Sequence, residues 1–324
     1  MYIIRNDSTE AAGNLALEEY LLCQTQLELI MLWRNAPSVI IGQNQNAFAE
    51  LDLDYASSHG IKVIRRQSGG GAVFHDLGNI NYTVIHPLGE KDFNNYAKFT
   101  SPIVDFLREL GVQAYLSGRN DLLIDGRKFS GNAQAVRAGR IMHHGTLMYS
   151  ADVSELSKVL RPDSGKISGK GIASVRSRVT NIADHMSSAM SVEEFMSRLY
   201  DFYLSRPGME GYELTHSDLA ARDRLVAEKY GTWDWNIGKS PSYDYTNSAR
   251  FPFGGVSVSV RAKGAVMERV SIRGDFFGLS DILELEGALR GVAHDRDAIL
   301  GVLRGLDLGA YISGMTAEEL AELF

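Results

Sequence analysis

The stretch RRQSGGGAVFHD, residues 65–76, is the part of the sequence from which the rest is interpreted. Its three consecutive glycines, Gly69–Gly71, lack a Cβ, so the backbone can adopt left-handed angles and a ligand can approach it closely. Backbone N–H groups in such a loop can also bind an anion. The alternative is a plain glycine-rich bend in a hairpin, and the glycines alone do not separate the two.

Charged side chains before the glycines favour an anionic ligand. Arginine offers a rigid fork of donors to phosphate or carboxylate, although arginines in exposed salt bridges are common. Arg65 and Arg66 point to opposite faces of a strand, so at most one of them faces a pocket. The same rule means that His143 and His144 cannot both ligate one metal in a regular strand. One histidine that faces a ligand is the better interpretation.

The pattern of strands and turns predicts an α+β fold. The glycines lie between two β-type runs, and the loop does not match GxGxxG or GxxxxGK[ST]. Asp125-Gly126 and Ala138-Gly139 predict hairpin turns, so the sheet is expected to be mixed and largely antiparallel. A helix is expected from about Phe99 to Leu110, and Ser191 with Glu194 predicts a capping box for another that reaches Leu204. The β-type runs are LELIMLWR, SVIIG, IKVIRR, AVFH and NYTVIH.

Composition excludes several classes of protein. The chain has 324 residues, of which 44% are hydrophobic, enough for one large or two unequal domains. Its single cysteine, Cys23, excludes an internal disulfide and a cysteine metal cluster, and a cytoplasmic location is expected. The net charge of -7 argues against nucleic acid as the main partner. No leader or membrane-spanning segment is expected, because no apolar run approaches about 18 residues.

The chain is expected to contain two domains. Serine, glycine, proline and asparagine replace the periodic pattern in residues 238–249, which predicts a linker. We therefore expect a larger domain in residues 1–246 and a small α/β domain in residues 247–324. The smaller domain is predicted to hold a hairpin that turns at Lys263-Gly264 and a last helix capped by Thr316 and Glu319.

Five motifs in order resemble the lipoate–protein ligase family over nearly the whole chain. The motifs are RRQSGGGAVFHDLGN (65–79), GRNDLLIDGRKFSGNA (118–133), HHGTL (143–147), SGKGIASVRSRVTN (168–181) and WDWNIGKSP (233–241). The resemblance implies the fold shared by biotin–protein ligases and class II aminoacyl-tRNA synthetases. It also implies a reaction in which lipoate and ATP give lipoyl-adenylate, which passes to a lysine of an acceptor protein. The acceptors would be the glycine-cleavage H protein and the E2 subunits of 2-oxoacid dehydrogenases.

The resemblance also implies roles for individual residues. Lys128 is the lysine expected between the substrate carboxylate and the α-phosphate. The residues implied for substrate binding are Trp33, Arg66, Gly71, His75 and His144. The residues implied for ATP and its adenylate are Ser68, Gly69, Gly70, Val73, Phe74, Asn79, Lys128, Ala133 and Lys170.

The chemistry of adenylation requires such residue types. A carboxylate attacks the α-phosphorus, so a fixed cation must bring two anions together and neutralise the charge that builds up. Lys128 follows a rigid turn and is expected to act electrostatically, although the residues around it alone indicate a solvated hairpin lysine. Mg²⁺ is expected on the ATP phosphates, and Asp121 is the candidate protein ligand, with a structural turn aspartate as the alternative.

Two mobile parts and two rival functions complete the interpretation. The basic segment 158–178 is expected to close over the phosphates through Lys170, or else to be a solvated loop. The small domain is expected to move during the reaction.

An acyltransferase of the same fold would need a pocket cysteine, and Cys23 lies in a helical stretch away from the motifs. A transferase that uses preformed lipoyl-adenylate, or a non-catalytic binder, is the second rival.

Overall fold

The computed structural model describes residues 1–152, 154–160, 178–239, 245–263 and 266–324. The strands in these ranges are β1 (Tyr2–Asn6), β2 (Leu29–Trp33), β3 (Ser38–Ile41), β4 (Lys62–Arg65), β5 (Val73–His75), β6 (Asn79–Pro87), β7 (Ala114–Ser117), β8 (Asp121–Ile124), β9 (Arg127–Arg137), β10 (Arg140–Met148), β11 (Glu210–Gly211), β12 (Tyr245–Phe251), β13 (Gly254–Lys263) and β14 (Val266–Gly274). The α-helices are α1 (Ala11–Cys23), α2 (Ala47–Glu50), α3 (Leu53–Ser58), α4 (Tyr96–Glu109), α5 (Ser154–Val159), α6 (Val192–Leu204), α7 (His216–Leu225), α8 (Ile282–Leu289), α9 (Arg296–Leu303), α10 (Leu308–Tyr311) and α11 (Ala317–Ala321).

Within the described residues, eight strands form one large sheet in the order β11-β1-β2-β6-β10-β9-β8-β7. The pairs β11–β1 and β1–β2 are parallel, and all pairs from β2 to β7 are antiparallel. The mixed, largely antiparallel sheet expected from the sequence is therefore confirmed. Strands β4, β3 and β5 form a separate small sheet, and the glycine loop joins β4 to β5 within it.

The two predicted hairpin turns are confirmed. Asp125 and Gly126, between β8 and β9, have φ angles of 50° and 75°. Ala138 and Gly139, between β9 and β10, have φ angles of 50° and 71°. Positive φ at both central residues is the geometry that matches the twist of a two-residue hairpin. These turns set the register of β9 and β10, which carry Lys128 and His144.

The predicted helices are confirmed, with one correction at a cap. Helix α4 buries Phe99, Ile103 and Leu107 on one face and ends before Gly111, whose φ is 80°. At the start of α6 the Ser191 hydroxyl accepts the N–H of Glu194, as expected. The reciprocal half of the predicted capping box is wrong, because the Glu194 carboxylate pairs with Arg198 one turn later.

Helices cover both faces of the large sheet. Side chains of α4 and α6 pack on one face in the core that contains Tyr82 and Phe129. Helix α1 packs on the opposite face, together with Trp33 and π-helical residues 226–230. The small sheet packs against α2, α3 and α5. Helix α1 packs against side chains of both sheets, among them Ile40 of β3.

The C-terminal unit, residues 245–263 and 266–324, consists of the antiparallel sheet β12-β13-β14 with α8–α11 packed on it. The capping box of Thr316 and Glu319 is confirmed at the start of α11. The predicted linker is wrong over residues 245–249, which belong to β12, because alternate side chains there pack into a sheet. Residues 240–244 and the predicted turn residue Gly264 lie outside the described ranges.

Candidate functional site

A cavity of about 390 Å³ lies between the large sheet, the glycine loop and the C-terminal unit. Its buried lining contains the apolar side chains of Leu15, Trp33 and Ile40 and the polar side chain of His75. Its outer part contains Asp121 and Lys128, whose side chains are 38% and 40% exposed. The buried part of the cavity therefore combines apolar side chains with polar ones, and its exposed part carries a carboxylate and an ammonium group.

Most predicted site residues line this cavity. They are Trp33, Arg66, Gly70, Gly71, Val73, His75, Asp121, Lys128, Ala133 and His144. Ser68, Gly69, Phe74 and Asn79 do not line it. Phe74 is partly buried against the core of the small sheet, and the Asn79 amide donates to Asn81, which does line the cavity. Lys170 and residues 161–177 of the predicted basic segment lie outside the described ranges.

The two arginines point to opposite sides, as the strand geometry predicts. Arg65 is fully buried, and its guanidinium donates to the carbonyl oxygens of Gly42, Gln43, Gln45, Trp235 and Asn236. Arg66 faces the cavity, and its guanidinium donates to the carbonyls of Ile40, Gly69 and Gly71. Burial lowers the pKa of Arg66 to about 10, so it stays charged at neutral pH. Arg66 thus holds the glycine loop in shape.

The three glycines of the loop have different surroundings. Gly70 has a φ of 96°, and its N–H donates to the carbonyl of Phe276 at 3.3 Å. A Cβ on Gly69 would lie 2.1 Å from the same Phe276 oxygen. A Cβ on Gly71 would meet only the Asp275 Cβ, at 3.8 Å. The loop therefore contacts the C-terminal unit through Gly69 and Gly70, while Gly71 is open to the cavity.

We expect Gly69→Ala to lower the free energy of unfolding by about 1–3 kcal/mol, because the added methyl group collides with a backbone oxygen that cannot move alone. Gly71→Ala, two residues along the same loop, has room for its methyl group and is expected to change stability by less than about 0.5 kcal/mol. Urea denaturation of both variants measures the difference. Equal losses in the two would contradict the proposed contact.

Lys128 is held in place from several sides. Its Nζ lies 2.9 Å from the Asp121 carboxylate across the β8–β9 pair. The register shifts beside it, since Leu123 pairs with Lys128 but Leu122 pairs with Ser130, and such bulges re-aim side chains. Its backbone N–H and carbonyl bond to Arg178 and Thr180. Gly131 leaves space for it, because a Cβ there would lie 3.1 Å from Nζ.

A chain of hydrogen bonds crosses the inner end of the cavity. Arg66 Nε donates to Ser68 Oγ, which lies 2.6 Å from His144 Nε2. His144 Nδ1 lies 2.9 Å from the buried Glu18 carboxylate. Thr83 Oγ1 donates to the same carboxylate and accepts from Trp33 Nε1. This chain of hydrogen bonds links the glycine loop to Trp33. Ser68 connects Arg66 to His144 within the chain, although Ser68 itself does not line the cavity.

The adjacent histidines separate as expected. His144 lines the cavity, whereas His143 is buried in the core and stacks on Phe99 with ring centroids 4.7 Å apart. Burial lowers the pKa of His143 well below its ordinary value, so the ring is neutral. Asn132 and Tyr82 lie beside its Nε2. His143 is therefore a packing residue behind the site.

Several cavity residues were not predicted. Arg119 and Asn120 lie in a quoted motif, so their position beside Asp121 was a usable signal. Glu18, which does not line the cavity but contacts His144, was also missed, although a carboxylate among the buried residues of α1 was a usable signal. Arg250, Asp275 and Phe277 come from the C-terminal unit, and the Arg119 guanidinium lies 4.2 Å over the Phe277 ring. No local pattern in the sequence indicates those three contacts.

Comparisons with known proteins cover both parts of the chain. The family described as lipoyl protein ligase A/B catalytic domain matches residues 10–203, and the family described as bacterial lipoate protein ligase C-terminus matches residues 240–324. The lipoate-protein ligase LplJ of Bacillus subtilis is 40% identical over 100% of this chain and 99% of its own.

Two solved structures share the fold of the larger part. A bipartite lipoate protein ligase from Thermoplasma acidophilum, studied with its E2 lipoyl domain, has a TM-score of 0.67 and 30% identity over 73% of this chain and 96% of its own. Lipoate-protein ligase A bound with ATP has a TM-score of 0.63 and 28% identity over 73% of this chain and 98% of its own. No helix in the described ranges is long and apolar enough to cross a membrane.

Proposed function

The chain belongs to the lipoate–protein ligase family, an enzyme class that joins lipoate to protein with ATP, and we propose that the cavity described above carries out both half-reactions. The observation that carries this proposal is the position of Lys128 at the exposed part of a cavity whose buried part includes the apolar side chains of Leu15, Trp33 and Ile40. An amphiphilic acid fits such a cavity with its chain inside and its carboxylate beside the lysine.

In the first step a carboxylate oxygen of lipoate attacks the α-phosphorus of ATP, and pyrophosphate leaves. Lys128 lies where the two anions meet and neutralises the charge that develops between them. The glycine loop supplies backbone N–H groups, and Arg66 contributes by holding that loop open rather than by pointing a free guanidinium at the ligand. Ala133 and Val73 line the adjacent wall, where the nucleotide is expected.

Mg²⁺ is the cation expected with ATP, and Asp121 fits it as the protein ligand. Mg²⁺ takes oxygen ligands and keeps several from phosphates and water, so one or two protein carboxylates suffice. Asp121 presents a carboxylate to the cavity, and Asp275 lies on the same cavity. Because Asp121 also pairs with Lys128, it would hold the cation and the lysine next to each other. Bound Mg²⁺ would offset phosphate charge.

In the second step the neutral amine of the acceptor lysine attacks the activated carbonyl, and AMP leaves. The proposed acceptors are the glycine-cleavage H protein and the E2 lipoyl domains of 2-oxoacid dehydrogenases, in line with the lipoyl domain studied with the archaeal ligase. We propose that residues 247–324 act as an accessory domain. In this structure the Gly70 N–H of the glycine loop donates a hydrogen bond to the Phe276 carbonyl of that domain.

The rival acyltransferase mechanism is not favoured by the position of Cys23. The residue ends α1, is half-buried and does not line the cavity. Burial raises the pKa of its thiol, whereas a thioester-forming cysteine needs a lowered one. A ligase that activates its own substrate needs no such thiol.

The proposal is tested by lipoate-dependent exchange of labelled pyrophosphate into ATP, with Mg²⁺ and without an acceptor. Exchange is expected, since adenylation is reversible when pyrophosphate is supplied. Adding a lipoyl domain should then release AMP and label one lysine. Acceptor labelling from synthetic lipoyl-adenylate without any exchange would contradict the ligase and support the transferase that uses preformed adenylate.

A further inference from the structure

One arginine of the C-terminal unit reaches the cavity. Arg250 belongs to β12 and lines the cavity, and its side chain is 56% exposed. Its Nη1 lies 3.6 Å from the Asp275 carboxylate, which is too far for a hydrogen bond. Charge therefore holds the guanidinium near Asp275, while its N–H donors remain accessible to a ligand in the cavity.

Arg250 also lies close to the glycine loop. A Cβ on Gly71, the loop glycine that is open to the cavity, would lie 3.8 Å from the Asp275 Cβ. The Asp275 carboxylate accepts the N–H of Gly255, which pairs with Arg250 across the β12–β13 hairpin. A Cβ on Gly255 would lie 3.6 Å from the Arg250 Nη1. These contacts place a cation of the C-terminal unit beside the loop that is proposed to bind phosphate.

A second arginine approaches the same place from the turn between β7 and β8. The Arg119 guanidinium lies 4.2 Å over the Phe277 ring, and its Nη1 lies 3.5 Å from the carbonyl of Phe253 in the β12–β13 turn. Arg119 lines the same cavity as Arg250. The guanidinium fork matches the oxygens of a phosphate group. Two arginines suited to phosphate thus lie where the C-terminal unit meets the rest of the chain.

The geometry of the first step decides which phosphates these arginines meet. The attacking and leaving oxygens lie roughly in line with the phosphorus when a phosphate is attacked. With the acid's chain in the buried part of the cavity and its carboxylate beside Lys128, the leaving pyrophosphate lies on the side of the α-phosphorus that faces away from the acid. That side is the exposed part of the cavity, where Arg119 and Arg250 lie.

We infer that Arg250, together with Arg119, binds the β- and γ-phosphates of ATP and the pyrophosphate that leaves. The inference rests on the proposed function and adds to it a substrate-binding residue from the C-terminal unit. The residues that the family resemblance implies for ATP all precede that unit in the chain. Arg250 then serves the first half-reaction alone, because lipoyl-adenylate has neither a β- nor a γ-phosphate.

The test measures KM for ATP, pyrophosphate and lipoate in the exchange assay with Arg250→Met. Loss of a charge-assisted contact should raise KM for ATP and for pyrophosphate by about 10-fold and leave KM for lipoate within about twofold of the wild type. The rate of transfer from synthetic lipoyl-adenylate to a lipoyl domain should also stay within about twofold. Arg269→Met is the matched control, because Arg269 is an exposed arginine of β14 that does not line the cavity.

Each outcome decides the inference. A rise in KM for ATP and pyrophosphate in Arg250→Met, but not in Arg269→Met, would support it. Unchanged values would overturn it, and so would an equal rise in KM for lipoate or a loss of transfer from lipoyl-adenylate, since a merely structural role of the pair with Asp275 would affect all of them. Arg250→Gln gives the same comparison if Arg250→Met does not fold.

Failure of the proposed function is a separate outcome. Absence of exchange in the wild type would contradict the ligase reaction, and calorimetric titration of pyrophosphate into the wild type and Arg250→Met would then still test the inference. Equal pyrophosphate affinities in the two proteins would overturn it.

Discussion

Lys128→Met is expected to lower the rate of lipoate-dependent pyrophosphate exchange by about 10³-fold, because it removes the cation placed between the two reacting anions. Methionine keeps the length and much of the volume of the side chain. Folding should change by less than about 1 kcal/mol, because the pair with Asp121 is more than a third exposed and such pairs contribute little. Exchange kinetics and urea denaturation measure the two quantities.

Arg127→Met provides the matched control for Lys128→Met. Arg127 is the preceding residue of β9, carries the same charge and is exposed to solvent instead of lining the cavity. Its loss is expected to leave exchange within about twofold. Similar losses in the two variants would mean that general positive charge, and not the position of Lys128, drives the reaction. Unchanged exchange in Lys128→Met would remove the central observation of the proposed function.

Arg65→Met is expected to lower the free energy of unfolding by about 3 kcal/mol, the largest effect on stability predicted here. Its guanidinium is fully buried and donates to five backbone carbonyls in two segments, residues 42–45 and residues 235–236. Methionine fills part of the space but donates no hydrogen bond, so those carbonyls lose their partners. Urea denaturation measures the change.

Arg198→Met is the control for this prediction. The Arg198 guanidinium pairs with Glu194 on the exposed face of α6, and loss of such a pair is expected to cost less than about 0.5 kcal/mol. If Arg65→Met were no more destabilising than Arg198→Met, the carbonyl contacts of Arg65 would not stabilise the fold. The contrast tests whether the first arginine of RRQSGGG is a structural residue.

Local rules accounted for much of the fold. Alternation and turn residues predicted β2–β6 and the turns at Asp125-Gly126 and Ala138-Gly139, because a strand and a tight turn depend on a few neighbouring residues. The prediction failed at residues 245–249, where polar residues looked like a linker. Their pairing with β13 forms β12, and pairing between strands is a long-range event that composition does not report.

Local geometry also predicted the orientation of individual side chains at the site. Strand parity correctly separated Arg65 from Arg66 and His143 from His144, since adjacent side chains point to opposite faces. Phe74 was assigned to the adenylate by its position in a motif, and it is partly buried against the core of the small sheet, between Val73 and His75, which both line the cavity. A contact between Phe74 and the adenylate stays a prediction.

The amino-acid sequence alone was enough to predict the largely antiparallel sheet and the opposite orientations of the paired arginines and of the paired histidines, because each depends on residue type and on spacing along the chain. The roles of the glycine loop and of Lys128 in the reaction were inferred from the family resemblance, and they stay predictions. Tertiary structure was needed for the link from Glu18 to His144, for the contact of Phe276 and Phe277 with the glycine loop and Arg119, and for the position of Arg250 at the cavity. All three features depend on residues far apart in the chain, which only packing brings together.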